Sequence, residues 1–86
     1  MKEQITHYFK NLPAYRENPF PLRENDSLLA LGLIDSFGIL EFVSFLEKDF
    51  GVECEPEDMV RSNFESLAAI YRFVENKLNG RPVQPA

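Results

Sequence analysis

Apolar residues near the start of the chain recur at the spacing of one helix face. The residues concerned are Ile5, Tyr8, Phe9 and Leu12. Their i, i+3, i+4, i+7 spacing predicts a first amphipathic helix of about twelve residues. Pro13 follows, and we expect it to stop or bend this helix because proline lacks the backbone N–H that a helix interior needs.

A long connection is predicted next. The run Asn-Pro-Phe-Pro at 18–21 cannot be helical, because each proline biases the preceding residue toward extended backbone. We expect the loop to continue to about Ser36, with a short turn over residues 28–31 and apolar side chains that hold it to the core. Gly32 suits a backbone position with positive φ. Structureless loops of this length are unusual in small domains and often functional.

The strongest helical pattern follows this loop. Ser36 is predicted as the N-cap of a second helix, and Gly51 as the left-handed residue that ends it. The face predicted to be buried comprises Ile39, Phe42, Val43, Leu46 and Phe50, with Leu40 at its edge. Their spacing is that of a helix and not of a strand.

Two further helices are predicted in the second half of the chain. Pro56 suits a first helical turn, so residues 57–60 are predicted as a short third helix. A last helix is predicted from Ser66 to Leu78. Its inward positions are Leu67, Ile70, Tyr71, Val74 and Leu78.

No segment alternates apolar and polar residues long enough to predict a strand. The predicted fold class is therefore all-α: a small four-helix bundle with three main helices, one short helix and a long first loop. A chain of 86 residues supports one small core. We expect a single domain over 1–79 and a flexible tail over 80–86.

Composition excludes several classes of protein. The single His7 and single Cys54 provide no internal disulfide, no zinc pattern and no complete catalytic set. The first residues are too polar for a secretory signal, and no apolar run approaches the length of a membrane span. We therefore expect a cytoplasmic protein that is not an enzyme.

Acidic residues are concentrated in the middle of the chain. Residues 35–58 contain eight acids and one base, Lys48, a local charge of −7. Such a surface should repel nucleic acid and anionic membranes and attract proteins with basic docking patches. The alternative interpretation is a solvated surface that only aids solubility.

The pair Asp-Ser occurs twice, at 26–27 and at 35–36. Either serine can cap a turn or helix, an effect worth about 1 kcal/mol. Ser36 differs because a strong amphipathic helix follows it, and the free N–H groups of that helix would favour an attached phosphate. Ser27 precedes a segment too short to provide this.

Two aromatic side chains, the single histidine and the single cysteine each have a predicted environment. Phe37 and Phe45 fall away from the main apolar face. We expect Phe37 to belong to a contact surface and Phe45 to be covered by the long loop or the third helix. His7 is expected to be solvated, and Cys54 to be a small core residue.

The ordered series from residue 32 onward resembles the acyl carrier protein family. Its centre is Gly-Leu-Ile-Asp-Ser-Phe at 32–37, where an Asp-Ser pair begins a helix and a bulky apolar residue follows. Phe-Gly-Val at 50–52, a proline with acids, and Asn-Phe-Glu-Ser-Leu-Ala-Ala-Ile at 63–70 continue the family order. The resemblance covers nearly the whole chain, although the first helix matches only in length and periodicity.

The resemblance implies a covalent cofactor, 4′-phosphopantetheine, joined to Ser36 through a phosphodiester. A phosphopantetheinyl transferase would install this arm from coenzyme A with Mg²⁺, and Asp35 would orient that encounter and contact the metal. The protein would then carry an acyl or aminoacyl thioester to acyl-transferring enzymes as a monomer. The residues predicted to dock partners are Phe37, Glu41, Glu47 and Lys48.

Departures from the family pattern indicate which branch this chain resembles. Carriers for fatty acid synthesis usually have Leu and an acid after the serine, where this chain has Phe37-Gly38, and Lys48 stands where an acid is common. This form resembles D-alanyl carriers and other stand-alone carriers, which receive small cargo from a dedicated adenylating ligase in a specialised pathway. The bulky residues expected to fill an inner acyl pocket are Phe42, Phe45, Leu46 and Phe50. The alternative is a carrier-like interaction module that is never modified.

Overall fold

The computed structural model describes residues 1–79, all of whose regular secondary structure is helical. The helices are α1 (Lys2–Lys10), α2 (Pro13–Glu17), α3 (Ser36–Phe50), α4 (Arg61–Phe64) and α5 (Leu67–Leu78), with a 3₁₀ helix at Pro56–Asp58. The three long helices α1, α3 and α5 enclose the core. This confirms the predicted all-α class with three main helices. The flexible tail predicted over 80–86 lies outside the described residues.

The first helix is shorter than predicted. It has nine residues and ends at Lys10, and Pro13 opens the separate helix α2. A proline suits the first helical position because the N–H it lacks would have no partner there. Ile5 and Phe9 are buried, so the predicted apolar stripe is confirmed although its helix is not twelve residues long.

The connection from α2 to α3 is held to the rest of the chain by backbone hydrogen bonds. The N–H of the fully buried Leu28 donates to the carbonyl of Glu65 at 2.9 Å, and the N–H of Leu31 donates to the carbonyl of Ser27 at 3.0 Å. The second bond closes the turn predicted over 28–31. Gly32 has φ +74°, which confirms the predicted positive φ and directs the chain toward α3.

The helix α3 begins one residue earlier than predicted, because Asp35 and not Ser36 is the N-cap. The Asp35 carboxylate accepts a hydrogen bond from the N–H of Gly38, and Ser36 is the first helical residue. Gly51 ends the helix at φ 67°, as predicted. The residues of α3 that are buried are Phe42, Val43 and Leu46, while Ile39 and Phe50 pack against the core from its edge.

The short third helix predicted over 57–60 is confirmed only in part. Pro56 opens a 3₁₀ helix, as predicted, but this helix ends at Asp58, and the separate helix α4 follows from Arg61. The carboxylate of Asp58 accepts a hydrogen bond from the N–H of Glu55 at 2.9 Å, and its carbonyl accepts one from the Asn63 side chain at 2.8 Å. The Asn63 side chain thus donates to the Asp58 carbonyl, which in a longer helix would accept a hydrogen bond from a backbone N–H.

The last helix agrees closely with its predicted range. Ser66 is the N-cap, and its hydroxyl accepts a hydrogen bond from the N–H of Ala69 at 3.1 Å. The predicted inward residues of α5 are buried except Leu78, which lies at the end of the helix and is 52% exposed. Phe73 was not predicted to be inward, yet it is buried against Phe64 of α4, with ring centroids 5.3 Å apart.

Candidate functional site

The hydroxyl of Ser36 is exposed at the start of the longest helix. Its Oγ forms no hydrogen bond with any residue in 1–79, because the cap is provided by Oδ1 of Asp35 at 2.6 Å from the Gly38 nitrogen. The prediction that Ser36 itself caps the helix is therefore wrong in a way that matters chemically. Since the neighbouring aspartate provides the cap, the serine oxygen remains available for reaction.

The other serines differ from Ser36 in their local bonding. Of the five serines in the chain, three use the hydroxyl in a hydrogen bond to nearby backbone. These are Ser27, Ser44 and Ser66. Ser62 is exposed but belongs to the four-residue helix α4, which is too short to provide a substantial dipole. Only Ser36 combines, within the described residues, an uncommitted hydroxyl with the start of a long helix.

A groove with a volume of about 380 Å³ lies beside Ser36. Its lining residues are Leu29, Ser36, Ile39, Leu40, Met59 and Arg61. They come from three parts of the chain: the long loop, the first turns of α3, and the segment that enters α4. Most of these side chains are apolar, and Arg61 carries the one charge among those that the structure describes. A groove of this volume, with Ser36 in its lining, has room for a flexible group attached at that serine.

Large apolar side chains surround the serine on the surface. Phe37 is 69% exposed and Leu40 is 54% exposed, and Val60 beside the groove is also exposed. Exposed apolar residues that lie together are typical of interaction surfaces. The exposure of Phe37 agrees with the contact surface expected from sequence, while its role in docking stays a prediction.

The charged residues predicted to dock partners are not brought together around Ser36. Glu41 lines a different groove of about 790 Å³ between α1 and α3. Glu47 follows Ser36 by eleven residues, about three turns, which returns it to the serine's side of α3. Its Oε2 accepts a hydrogen bond from the N–H of Cys54 at 3.3 Å. Lys48 is exposed, and the docking role of all three stays a prediction.

Phe45 is covered by a different element from the ones expected. It is partly buried and packs against Tyr8 of α1, with ring centroids 4.7 Å apart, and not under the long loop or the third helix. Burial raises the pKa of Tyr8, and the nearby Glu41 carboxylate acts in the same direction. The contact between α1 and α3 therefore includes the aromatic pair Tyr8 and Phe45, and the acid Glu41 lies nearby.

Cys54 and His7 have the environments that the sequence indicated. Cys54 is partly buried and packs against the core. Burial raises the pKa of its thiol, and the carboxylate of Glu47 adds to this, so the thiol stays protonated at neutral pH. His7 is exposed, with its Nε2 atom 2.7 Å from the side-chain nitrogen of Asn11. Neither residue has the surroundings of a nucleophile or base.

An ion pair that sequence reasoning missed fixes one wall of the groove. The Nζ atom of Lys77 lies 2.6 Å from Oδ2 of Asp58, with side chains only 17% and 10% exposed. Burial alone would raise the pKa of Asp58, but the hydrogen bonds from Lys77 and from the Glu55 N–H hold it below its usual value. The pair ties the 3₁₀ turn to α5 and so positions the Met59–Arg61 side of the groove.

Two kinds of feature, a metal-binding cluster and a membrane-spanning helix, are absent from residues 1–79. No group of three or more His, Cys, Asp or Glu side chains there is arranged to hold a metal ion. No helix in this part of the chain is both long and apolar enough to cross a membrane.

Comparison with known proteins identifies the family. The family model described as "Phosphopantetheine attachment site" matches residues 16–74, which include α3, α4 and the described lining residues of the groove beside Ser36. No curated protein matches the chain.

In this family 4′-phosphopantetheine is attached covalently to a serine. Its domains are generally non-catalytic carriers that work with phosphopantetheinyl transferases and acyl-handling enzymes. The free serine hydroxyl and the open groove fit that cofactor. The chain therefore belongs to the phosphopantetheine-attachment family and is a carrier protein.

Proposed function

We propose that Ser36 is the serine that carries 4′-phosphopantetheine and that the arm presents an acyl or aminoacyl thioester to partner enzymes. The observation that carries this proposal is the exposed, uncommitted hydroxyl at the start of α3, freed by the Asp35–Gly38 cap. Free N–H groups at a helix start also favour the phosphate that attachment would add. The thiol that holds the cargo is that of the arm and not that of Cys54.

The attachment reaction assigns distinct tasks to Ser36 and Asp35. The Ser36 oxygen forms the new bond to phosphorus, its proton passes to a base on the transferase, and the adenosine part of coenzyme A leaves with the other phosphates. Asp35 uses Oδ1 for the cap, so its second carboxylate oxygen is available to the transferase or its Mg²⁺. The Asp35 carboxylate thus caps the start of α3 and also orients the transferase for the reaction.

The packing of the core favours small cargo. Phe42 and Leu46 are fully buried behind the helix that bears Ser36, and they occupy the space that a long acyl chain would need. A small acyl or aminoacyl group can instead stay on the arm, outside the core. With Phe37-Gly38 after the serine, this supports a dedicated adenylating ligase in a specialised pathway as the source of the cargo.

Docking of the transferase and ligase is proposed on the surface around Ser36. Phe37 would supply apolar contact area, and Glu41 and Glu47 would attract basic patches on the partner. The positive charge of Lys48 would influence which charged surfaces of a partner can dock on α3. We further propose a cytoplasmic monomer whose partners are proteins, not nucleic acid or membrane.

Coexpression with a phosphopantetheinyl transferase, followed by intact-mass measurement, tests the proposal. Wild type and the controls Ser27→Ala and Ser62→Ala should gain the mass of one arm, and Ser36→Ala should gain none. If wild type stays unmodified while a control carrier is loaded, the proposal fails and the chain is instead an unmodified interaction module.

A further inference from the structure

We propose that the guanidinium of Arg61 binds the phosphodiester that joins the arm to Ser36. This inference rests on the proposed attachment at Ser36. Both residues line the same groove, Ser36 from the first turn of α3 and Arg61 from the first residue of α4. A phosphate on the serine oxygen would therefore project into the space that Arg61 borders.

Arg61 provides the positive charge that the other described lining residues of the groove lack. Besides Ser36 itself, the other described lining residues are apolar: Leu29, Ile39, Leu40 and Met59. None of these can neutralise a phosphate. A guanidinium can form two parallel hydrogen bonds to two phosphate oxygens, which fixes both position and orientation.

The guanidinium of Arg61 is uncommitted in the part of the chain that the structure describes. It forms no ion pair with a described residue, whereas Lys77 is committed to Asp58. The same pair positions the backbone that precedes Arg61, and the hydrogen bond from Asn63 to the Asp58 carbonyl adds a second anchor. Because the backbone is anchored, the entropy lost when Arg61 binds an anion is mainly that of ordering its side chain.

Electrostatics favour a cationic partner beside Ser36. The phosphodiester is an anion, and the adjacent Asp35 carboxylate carries the same charge. The surrounding region from 35 to 58 has a net charge of −7, so an added phosphate there is opposed by like charges. Arg61 lies just beyond this acidic region and offsets the repulsion at the attachment point.

The test uses apo and arm-loaded protein, with loading verified by intact mass. Four proteins are compared: wild type, Arg61→Gln, Arg61→Lys and the control Arg72→Gln, which removes an exposed arginine from α5. Two readouts are measured at low and high salt. They are the ³¹P chemical shift of the phosphodiester and the difference in Tm between the loaded and apo forms.

We expect wild type and Arg72→Gln to share one ³¹P shift and one Tm difference. Arg61→Gln should displace the shift and lower the Tm of the loaded form relative to its own apo form. Arg61→Lys should restore part of both, because it keeps the charge but not the paired hydrogen bonds. The differences should shrink at high salt.

Two failures can be told apart. If Arg61→Gln loads fully and both readouts equal those of wild type, Arg61 does not bind the phosphodiester, although the carrier function stands. If no variant and no wild-type protein acquires the arm, the attachment at Ser36 is wrong and this inference falls with it.

Discussion

The Oδ1 atom of Asp35 accepts a hydrogen bond of 2.6 Å from the N–H of Gly38. The same oxygen would lie 3.2 Å from a Cβ added at Gly38, so the missing side chain leaves the cap uncrowded. Gly38 is one of the residues by which the sequence is expected to differ from carriers for fatty acid synthesis. In the structure it accommodates the aspartate cap that leaves the Ser36 hydroxyl free.

Substitutions at Asp35 should separate capping from recognition. Asp35→Ala removes the N-cap and should lower the free energy of unfolding by about 1 kcal/mol, measured by chemical denaturation. Asp35→Asn keeps an oxygen that can accept from Gly38 and should be nearly as stable as wild type. Both should acquire the arm more slowly, because both lose the carboxylate charge. Wild-type loading by Asp35→Asn would contradict the proposed role of that charge.

Removing the Phe37 ring should impair docking without affecting stability. Phe37 is 69% exposed, so Phe37→Ala should change the free energy of unfolding by less than about 0.5 kcal/mol. If Phe37 is one of the few residues that dominate docking, its truncation costs more than about 1 kcal/mol, which predicts at least a fivefold loss of kcat/KM for arm attachment. The matched control is Leu78→Ala, which truncates another exposed apolar residue at the far end of α5. Equal losses in both variants would argue against a specific contact.

Charge reversal on α3 should slow attachment in a salt-dependent way. Glu47→Lys is expected to have the larger effect, because Glu47 lies on the same side of α3 as Ser36 while Glu41 lines the groove against α1. Glu41→Lys should have a smaller effect, and Glu75→Lys on α5 should have almost none. Rates for Glu47→Lys should approach those of wild type as salt rises. A defect unaffected by salt would exclude electrostatic steering.

Long acyl cargo should not enter the core. In NMR spectra of the loaded protein, changing the cargo from acetyl to octanoyl should shift the methyl signals of Leu29, Ile39 and Met59 in the groove. Phe42 and Leu46 should change little, because both are fully buried in the core, where side chains are closely packed. Large shifts of those two core residues with octanoyl cargo would show that the core opens, contrary to the small-cargo proposal.

The Asp58–Lys77 pair should make stability depend on pH. Because the pKa of Asp58 is lowered on folding, its contribution is present above the usual aspartate pKa and is lost as pH falls through the folded value. The hydrogen bond to Asp58 raises the pKa of Lys77, so the contribution of Lys77 persists at neutral pH and is lost only as pH rises through its folded value.

A lysine substitution measures this contribution directly. Lys77→Met should lower the free energy of unfolding by about 1–3 kcal/mol at neutral pH, since it leaves a buried carboxylate without its partner. The difference from wild type should shrink below about pH 4, where aspartate becomes protonated. Lys48→Met, which removes an exposed lysine, should have a small effect at every pH. An unchanged Lys77→Met difference across the acid range would mean that the ion pair is not its cause.

Local sequence rules predicted the features that depend on neighbouring residues. The positive φ of Gly32 and Gly51 follows from glycine's lack of a side chain, and the range of α5 follows from its apolar spacing and the Ser66 cap. The adjacent Asp35 and Ser36 are both good caps. Only the three-dimensional position of each oxygen relative to Gly38 decides between them.

Features that depend on distant residues were not predictable in this way. The short helix expected over 57–60 ends at Asp58, whose carbonyl accepts a hydrogen bond from the Asn63 side chain. Asp58 also pairs with Lys77, nineteen residues away, and no periodicity signals such a pair. Phe73 is buried because α4 covers it, and the separate existence of α4 was itself not predicted. The groove beside Ser36 likewise combines Leu29, Met59 and Arg61 from segments that only the folded chain brings together.

Fragmentation mass spectrometry of the arm-loaded wild-type protein tests the central claim most directly. Trypsin should release residues 24–48 as one peptide that contains Ser27, Ser36 and Ser44. Fragment ions should assign the added mass to Ser36, with Ser27 and Ser44 unmodified. Assignment of the arm to either of those serines, or to a peptide elsewhere in the chain, would contradict the proposed site.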